Sequence, residues 1–391
     1  MFYQLPPVGN PVSLGQNLAA YTNDSLPEFL SPNHTQFYAS GTAALAAAVM
    51  AAMAYVATQK TIPVDAEVIL PAYGCPDLVS AVIFAGAKPV LVDMQANRPW
   101  LDLDKLAAAI TVNTVAIVGV SLFGVAERWQ QLRTIARRAN VLLIEDSAQY
   151  FPSADEPEYG QGDVLVFSFG RGKPVSLLGG GATCANSAAL YELLPKAVEM
   201  PTNLKHTITF FLKAKLYNAM ISPWLYWLPQ FLPFLHLGET RYHALREITG
   251  IDAARKKRLA SNIMRYQNDK KLVQNKARIS KGLNLFEEII NLPAVCAEEE
   301  RDLNDRRLLR YPILVNAERR DEIYEKLKQA GLGVSKMYPS ILPEIDGLQA
   351  IFSDKNFPQA SEFAAKLLTL PVHAGVSKKD VKKIMSLLAR I

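Results

Sequence analysis

Cysteine and histidine are scarce in this chain of 391 residues, which has three of the first and five of the second. The cysteines, Cys75, Cys184 and Cys296, are odd in number and far apart, as is typical of a reduced cytosolic protein without disulfides. No histidine shares a zinc-ligand spacing with a cysteine, so we expect no metal site. These scarcities argue against a disulfide-rich fold and a zinc module.

A strong net charge is also missing, because the formal charge is only +5. There is no block of lysine and arginine, so we expect no nucleic-acid partner. The N-terminal residues lack a basic segment followed by an apolar one, so we expect no signal peptide and a cytoplasmic protein. The length is sufficient for two domains.

An uninterrupted membrane span is not expected either. No charged residue occurs from Leu216 to Leu237, a length that could cross a bilayer. Three prolines would break such a helix: Pro223, Pro229 and Pro233. The wider segment Phe210–Leu237 therefore has three interpretations: a subunit or core contact, a membrane-surface contact with Lys213 and Lys215 at its edge, or a wall for an apolar or lipid-linked substrate.

Short apolar segments alternate with helical ones through the first half of the chain. The predicted strands are 67–70, 88–93, 115–120, 141–146 and 164–167, and the helices between them are 77–87, 104–110 and 129–139. This alternation predicts an α/β fold with a mostly parallel sheet between helices. Ligands bind such sheets at the carboxyl ends of the strands, where Tyr73, Asp146 and Ser168 fall.

The second half predicts a smaller α/β unit. Residues 252–276 read as one long basic helix, whose charge fits a solvated face of a connecting helix better than an anionic partner. A strand at 311–315, a helix at 320–330 and a final helix from Ser377 follow.

One lysine occupies an unusual position between a strand and a glycine-rich hairpin. Lys173 follows the apolar run Val164–Phe167 and precedes Gly179–Gly181. A lysine partly removed from water can act as a nucleophile toward carbonyls, although a lone lysine in a turn is more often simply solvated. The upstream residues favour the reactive interpretation.

These upstream residues supply the other features of a pyridoxal phosphate site. Ser40-Gly41-Thr42 precedes an Ala-rich helix, whose N-terminus can bind a phosphate. Asp146, at the end of a strand, can keep a ring nitrogen protonated, and Lys173 can condense with an aldehyde. The combination on one sheet edge predicts this cofactor.

Five segments together carry a family resemblance: SGTAAL, VILPAY, GAKPVLVD, IEDSAQ and FSFGRGK followed by GGG. The chain resembles the DegT/DnrJ/EryC1/StrS aminotransferases, fold-type-I pyridoxal phosphate enzymes that mostly aminate keto sugars on nucleotide carriers. The resemblance is strongest over residues 35–200 and returns in GLGVSKMYPS and FPQASEFAAKLLTLPVHAG. It implies a homodimer whose chain has a large cofactor-binding domain at 1–250, with an apolar insertion at about 205–240. A linking helix and a small α/β domain would form 251–391.

The resemblance also implies roles for individual residues. Lys173 would hold the cofactor and move a proton, and Asp146 would pair with the ring nitrogen. Gln149 would bond the phenolic oxygen, and Ala148 would lie near the ring face. The phosphate would be bound by Gly41, Thr42 and Ser168.

Three departures from the family pattern concern the ring contact and the substrate. Cys75 stands where the family has a stacking aromatic residue, so either Tyr73 covers the ring or a smaller contact replaces the stack. The carboxylate of the family's Gly-Glu-Gly-Gly is absent, and Met337 replaces the histidine of its His-Tyr-Pro. The resemblance implies substrate contacts only weakly, for Tyr338, His373 and Tyr242.

The function expected from this resemblance is ping-pong transamination. An amino acid, by analogy glutamate, would donate its nitrogen to a keto group of a nucleotide-linked sugar in polysaccharide or glycan biosynthesis. Two alternatives stay open: a pyridoxal phosphate enzyme of another reaction type on a lipid-linked or apolar substrate, and a non-catalytic relative at the membrane periphery. A membrane-associated location stays open with them.

Overall fold

A seven-stranded sheet forms the centre of the computed structural model, which describes residues 3–15, 26–31, 33–59, 65–152, 160–198, 200, 203–230, 240–299, 306–352 and 356–390. Its strands are β1 Thr35–Tyr38, β2 Glu67–Pro71, β3 Lys88–Val92, β4 Thr114–Val120, β5 Leu142–Asp146, β6 Val164–Ser168 and β7 Gly181–Ala185. Their order is β1-β7-β6-β5-β4-β2-β3. The pairs from β3 to β6 are parallel, and β7 is antiparallel to both β6 and β1. The predicted mostly parallel sheet is confirmed.

The described residues form fourteen α-helices, which pack around this sheet and around a smaller sheet in the C-terminal half. They are α1 Gly41–Gln59, α2 Asp77–Phe84, α3 Leu103–Ala109, α4 Trp129–Ala139, α5 Ala188–Leu193, α6 Leu204–Met220, α7 Trp227–Gln230, α8 Ala253–Lys256, α9 Leu259–Gln267, α10 Lys270–Leu283, α11 Leu292–Glu299, α12 Ala317–Gln329, α13 Pro358–Lys366 and α14 Lys378–Leu388.

The strands are apolar throughout because helices cover both faces of the sheet. Along β4, Ala116 and Val118 pack in the core under α1 and α2, whereas Ile117 packs with α4 on the other face. The helix predicted at 129–139 is confirmed at its stated bounds. Helix α1 is long and apolar enough to cross a membrane by composition, but its alanines are buried against β6 and β7, so it is a core helix.

The prediction of one continuous helix at 252–276 is wrong. The segment forms α8, α9 and the start of α10, with breaks at Lys257–Arg258 and Asn268–Asp269. Asp269 accepts hydrogen bonds from the N–H groups of Lys271 and Leu272 and so begins a new helix. Capping by this side chain competes with helix continuation.

A smaller antiparallel sheet lies in the C-terminal half. It consists of β8 Ile290–Asn291, β9 Tyr311–Leu314 and β10 Leu367–Leu370, in the order β10-β9-β8. The helices α12 and α14 pack against it and against each other. These elements agree with the predicted strand at 311–315, helix at 320–330 and helix from Ser377, which caps α14. The domain boundary at residue 250 stays a prediction.

The N-terminal segment, residues 3–15, is irregular but bound in place. The N–H of Leu5 donates to the carbonyl of Gly331, and the N–H of Val12 donates to Oδ1 of Asn218 in α6. Of the apolar segment Phe210–Leu237, residues 231–237 lie outside the described residues.

Candidate active site

A cavity of about 280 Å³ opens at the carboxyl ends of β4, β5 and β6, beside the N-terminus of α1. This is the edge of a parallel sheet where ligands are expected. Nine residues for which the sequence suggested a cofactor or substrate contact line it: Gly41, Thr42, Cys75, Asp146, Ala148, Gln149, Ser168, Lys173 and Tyr338. The fold therefore brings together residues separated by up to 297 positions in the chain.

Asp146 is the acid of this cavity. It ends β5, is buried, and its Oδ1 accepts a hydrogen bond of 2.9 Å from the N–H of Ala148. Burial raises the pKa of this carboxyl above its ordinary value, the positive charge of Lys173 opposes the shift, and the negative charge of Asp77 adds to it. Asp146 and Lys173 thus interact electrostatically across the cavity.

Lys173 lies in the loop between β6 and β7. Its N–H donates to the carbonyl of Gly170 at 3.3 Å, and its carbonyl accepts from Nδ2 of Asn10 at 3.1 Å. Gly172, with φ of +71°, gives the loop a left-handed turn that favours glycine. The sequence predicted a lysine between a strand and a flexible hairpin, and the loop has that position.

Gly41 and Ser168 approach each other closely at the start of α1. A Cβ atom added to Gly41 would lie 2.6 Å from both Cβ and Oγ of Ser168, so a larger residue fits only if the start of α1 or Ser168 moves. Ser40 caps the helix, because its Oγ accepts from the N–H of Ala43 at 3.1 Å. The first N–H groups of the helix therefore face the cavity together with the Ser168 hydroxyl, an arrangement suited to an anion.

Gln149 and Tyr338 close one wall. Oε1 of Gln149 accepts from the N–H of Phe123 at 3.0 Å, and Nε2 donates to the Tyr338 hydroxyl at 3.1 Å. Burial raises the pKa of Tyr338 well above its ordinary value, so the phenol is neutral. Tyr338 is the one weakly implied substrate residue that the structure brings to the cavity.

Tyr73 does not line the cavity. Its side chain is fully buried, its ring packs edge-on against Tyr338 and Phe363, and its hydroxyl donates to the carbonyl of Tyr338 at 3.1 Å. Packing on Tyr338 and Phe363 turns Tyr73 inward, whereas Cys75 lines the cavity. Burial raises the pKa of the Cys75 thiol to about 12, so the group presented there is neutral.

His373 and Tyr242 also lie away from the cavity. His373 is buried, with Nε2 2.9 Å from the carbonyl of Pro6 and Nδ1 accepting from the N–H of Gly375 at 3.2 Å. Tyr242 is half-buried and packs on the edge of the main core, beside Gly347. In this structure neither residue reaches the site that the resemblance suggested.

Sequence reasoning missed two charged residues of the cavity, Asp77 and Arg171. Asp77 begins α2 directly after the loop that carries Cys75, and its negative charge acts on both Asp146 and Cys75. The sequence signal that could have identified Asp77 is its position two residues after Cys75, at the same edge of the sheet. Arg171 is exposed within the lysine loop and has no such signal.

The residues present fit pyridoxal phosphate. The cavity offers a buried carboxylate for a ring nitrogen, an amine for an aldehyde, and a helix N-terminus with a serine hydroxyl for a phosphate. The close approach at Gly41 keeps side chains out of the phosphate position.

A comparison of the sequence with protein families decides the identity. The profile of the DegT/DnrJ/EryC1/StrS aminotransferase family matches residues 9–199 and 267–389. The chain belongs to this family. It is a pyridoxal phosphate-dependent aminotransferase of fold type I, and residues 200–266 are an internal segment that the family profile leaves unmatched.

Individual relatives agree with this assignment. The chain is 24% identical over 375 residues, 94% of its own length and 88% of the relative's, to the dTDP-4-amino-4,6-dideoxy-D-glucose transaminase of Shigella dysenteriae. It is 31% identical over 171 residues, 42% of its length and 44% of the relative's, to the GDP-perosamine synthase of Escherichia coli O157:H7. Its fold is similar to that of the putative sugar aminotransferase Spr1654 of Streptococcus pneumoniae in its PLP form, with a TM-score of 0.67, 21% identity and coverage of 98% and 97% of the two chains.

Proposed function

We propose that this aminotransferase transfers the amino group of glutamate to a keto carbon of a nucleotide-linked sugar in polysaccharide or glycan biosynthesis. The observation that carries the proposal is the single cavity shared by Lys173, Asp146 and the N-terminus of α1. Support for the acceptor comes from the Shigella relative, named for a dTDP-linked sugar, and from the GDP-perosamine synthase. The Shigella relative aligns with nearly the whole chain.

The cofactor, when bound, supplies an aldehyde for amine exchange and a ring that withdraws electrons. We assign Lys173 Nζ to holding it and to moving the proton between cofactor and substrate carbons. Asp146 would keep the ring nitrogen protonated, and the second N–H of Gln149 Nε2 would bond the phenolic oxygen. Ala148 and Cys75 would contact the ring. Phosphate would be bound by Gly41, Thr42 and Ser168.

Absorption spectroscopy of the purified protein tests this proposal. The wild type with cofactor should be yellow, should bleach with glutamate, and should recover its colour with a nucleotide-linked keto sugar. Lys173→Ala should lose both spectral changes and at least about 10²-fold in activity, because it removes the proton-transfer group. Lys382→Ala, exposed on α14, is the matched control. A Lys173→Ala protein that keeps the lysine-bound colour would contradict the assignment.

A cytoplasmic homodimer is the assembly we infer from the family resemblance. Light scattering of the purified protein checks it, since a homodimer has twice the chain mass of 43.2 kDa.

The exposed face of α6 is apolar, which favours an additional contact with another surface. Leu204, Ile208, Leu212 and Leu216 recur every four residues, and the exposed fractions of the three leucines are 76%, 62% and 57%. Such spacing gives one continuous apolar stripe. The opposite face is anchored, because Phe210 packs under the guanidinium groups of Arg255 and Arg258.

The charge around this stripe indicates the partner. Lys205, Lys213 and Lys215 are exposed beside it, and the sequence has no aspartate or glutamate from Met200 to Gly238. Trp224, 64% exposed, extends the apolar surface beyond the helix. A basic helix with leucine on one face and a nearby tryptophan suits the interface of an anionic bilayer. We therefore propose that α6 and the turn after it bind anionic membrane surfaces, in the segment that the family profile leaves unmatched.

Vesicle co-sedimentation tests the membrane proposal with phosphatidylglycerol–phosphatidylcholine vesicles at low and high salt. Leu212→Gln/Leu216→Gln should abolish binding, and Lys213→Gln/Lys215→Gln should weaken it about tenfold or more, since each basic residue contributes about 1 kcal/mol. Leu285→Gln is the control, because Leu285 lies in the C-terminal half and is 81% exposed. If the wild type does not sediment with the vesicles, and the leucine substitutions instead dissociate an oligomer, the stripe is a subunit contact and the membrane proposal fails.

A further inference from the structure

Asp77 is a second acid in the active-site cavity, besides Asp146. It lines the cavity together with Cys75 and Lys173, and it is half-buried at the first position of α2. Its backbone N–H, not its carboxylate, bonds the Cys75 sulfur. Among the residues that the structure describes, no side chain forms an ion pair or a hydrogen bond with this carboxylate. Solvent or a bound molecule therefore supplies the donors that its oxygens accept.

The negative charge of Asp77 acts on three other residues of the cavity wall. Burial raises the pKa values of Cys75, Asp146 and Tyr338, and the charge of Asp77 raises each of them further. Because the energy between charges falls with distance, the carboxylate lies close to all three side chains. A negative charge in the first turn also stabilises a helix, but that role does not require the carboxylate to face a cavity.

The cofactor assigned to this cavity offers Asp77 no suitable group. The phosphate and the phenolic oxygen of the cofactor accept hydrogen bonds, as a carboxylate does, and the phosphate is an anion. The ring nitrogen is assigned to Asp146 and the aldehyde to Lys173. A carboxylate accepts hydrogen bonds and repels anions. The substrate is therefore the bound molecule that can donate hydrogen bonds to Asp77.

Charge distinguishes the two substrates of the proposed reaction. Glutamate carries two carboxylates, whereas a keto sugar carries hydroxyl groups that donate hydrogen bonds. We propose that Asp77 selects the acceptor sugar: it accepts hydrogen bonds from hydroxyl groups near the keto carbon and disfavours sugars with a carboxylate there. The inference rests on the proposed transamination and deepens it, because the reacting end of the acceptor then carries no negative charge. Repulsion between like charges is an effective means of such selection.

Two nucleotide sugars without a keto group test this selection without turnover. UDP-glucose and UDP-glucuronate differ at one carbon, which carries a hydroxyl group in the first and belongs to a carboxylate in the second. Calorimetry measures their binding to the protein loaded with pyridoxamine phosphate. The wild type should bind UDP-glucuronate at least about tenfold more weakly than UDP-glucose, because like charges repel in a confined site. Asp77→Asn should bind the two within twofold of each other, and Asp104→Asn, exposed on α3, should behave as the wild type.

Asp77→Ala tests the hydrogen bonds themselves. It should weaken the binding of UDP-glucose by about 10- to 100-fold, because hydrogen bonds to a charged group are lost. The half-saturating concentration of glutamate in the first half-reaction, followed by cofactor absorbance, should not rise. An acid that only stabilises α2 would lower the thermal midpoint of both Asp77 variants and leave the ratio of the two UDP sugars unchanged.

Failure of this proposal and failure of the proposed function give different results. The Asp77 proposal is overturned if the wild type binds the two UDP sugars within twofold of each other or binds neither. It is also overturned if Asp77→Asn keeps the wild-type ratio, or if Asp77→Ala weakens glutamate as much as UDP-glucose. A wild type that glutamate does not bleach contradicts the transaminase proposal instead.

Discussion

Gln149 Nε2 donates a hydrogen bond of 3.1 Å to the Tyr338 hydroxyl and so joins two segments 189 residues apart. The amide belongs to the loop after β5, and the phenol belongs to the segment before the final helices. Both side chains are buried, and the hydroxyl also interacts with the Cys75 thiol. The cavity wall is therefore one connected polar network rather than three separate contacts.

Tyr338→Phe should weaken this wall. Removing the hydroxyl leaves a buried amide donor without its partner, which costs about 1–3 kcal/mol of unfolding free energy. We also expect a lower kcat/KM, because Gln149 then keeps only the hydrogen bond from Phe123 and its amide is less firmly oriented. Urea unfolding and steady-state kinetics measure the two effects. Tyr311→Phe is the matched control, since its hydroxyl donates to Asn291 at 2.7 Å away from the cavity; it should lower stability alone, and equal kinetic losses in both variants would contradict the prediction.

Gly41→Ala should reduce cofactor affinity without unfolding the sheet. The new Cβ would meet Ser168 at 2.6 Å, so the start of α1 or the serine must move. Either shift displaces donors assigned to the phosphate, and we expect at least about a tenfold higher dissociation constant, which corresponds to roughly one lost hydrogen bond. Fluorescence titration with cofactor measures it. Gly15→Ala, with no atom nearer than 3.9 Å, should leave the affinity unchanged.

Much of this site could be predicted from sequence because its residues sit at the ends of strands. Apolar runs fix β5 and β6, and parallel pairing then places Asp146 and Ser168 at one edge. The Lys173 loop follows directly from β6, so its position is also local information. The family resemblance supplied the roles but not the geometry.

The positions of Tyr73 and His373 could not be predicted in the same way. Two residues of one loop can face opposite directions, and only packing against Phe363 decides that Tyr73 turns inward. His373 is held by the carbonyl of Pro6, 367 residues away, and no local pattern contains such a contact.

Asp146→Asn should lower activity by about 10²–10³-fold, since it removes the charge assigned to the ring nitrogen. In wild type, burial raises the pKa of Asp146, so the carboxylate is lost on acidification at a higher pH than for an exposed aspartate. Because the ring nitrogen pairs with the ionised carboxylate, we expect the cofactor affinity of the wild type to fall on acidification from a pH above the ordinary aspartate range, and this pH dependence to disappear in Asp146→Asn. Cofactor titration at a series of pH values measures it. Asp104→Asn, exposed on α3, should retain the wild-type pH dependence; an unchanged pH dependence in Asp146→Asn would exclude Asp146 as its source.

His373 should make the fold sensitive to mild acid. Burial lowers its pKa from 6.5 to about 4; the positive charge of Arg310 also lowers it, whereas Asp269 and Asp380 oppose the shift. Between these two values the unfolded chain binds a proton that the folded chain does not, so stability falls as the pH falls from 6.5 to about 4. The full difference corresponds to about 3 kcal/mol. Urea unfolding at pH 7 and pH 4 should therefore show a larger acid loss for wild type than for His373→Gln, whose amide can still donate to Pro6, and equal losses in the two proteins would assign the acid sensitivity to other groups.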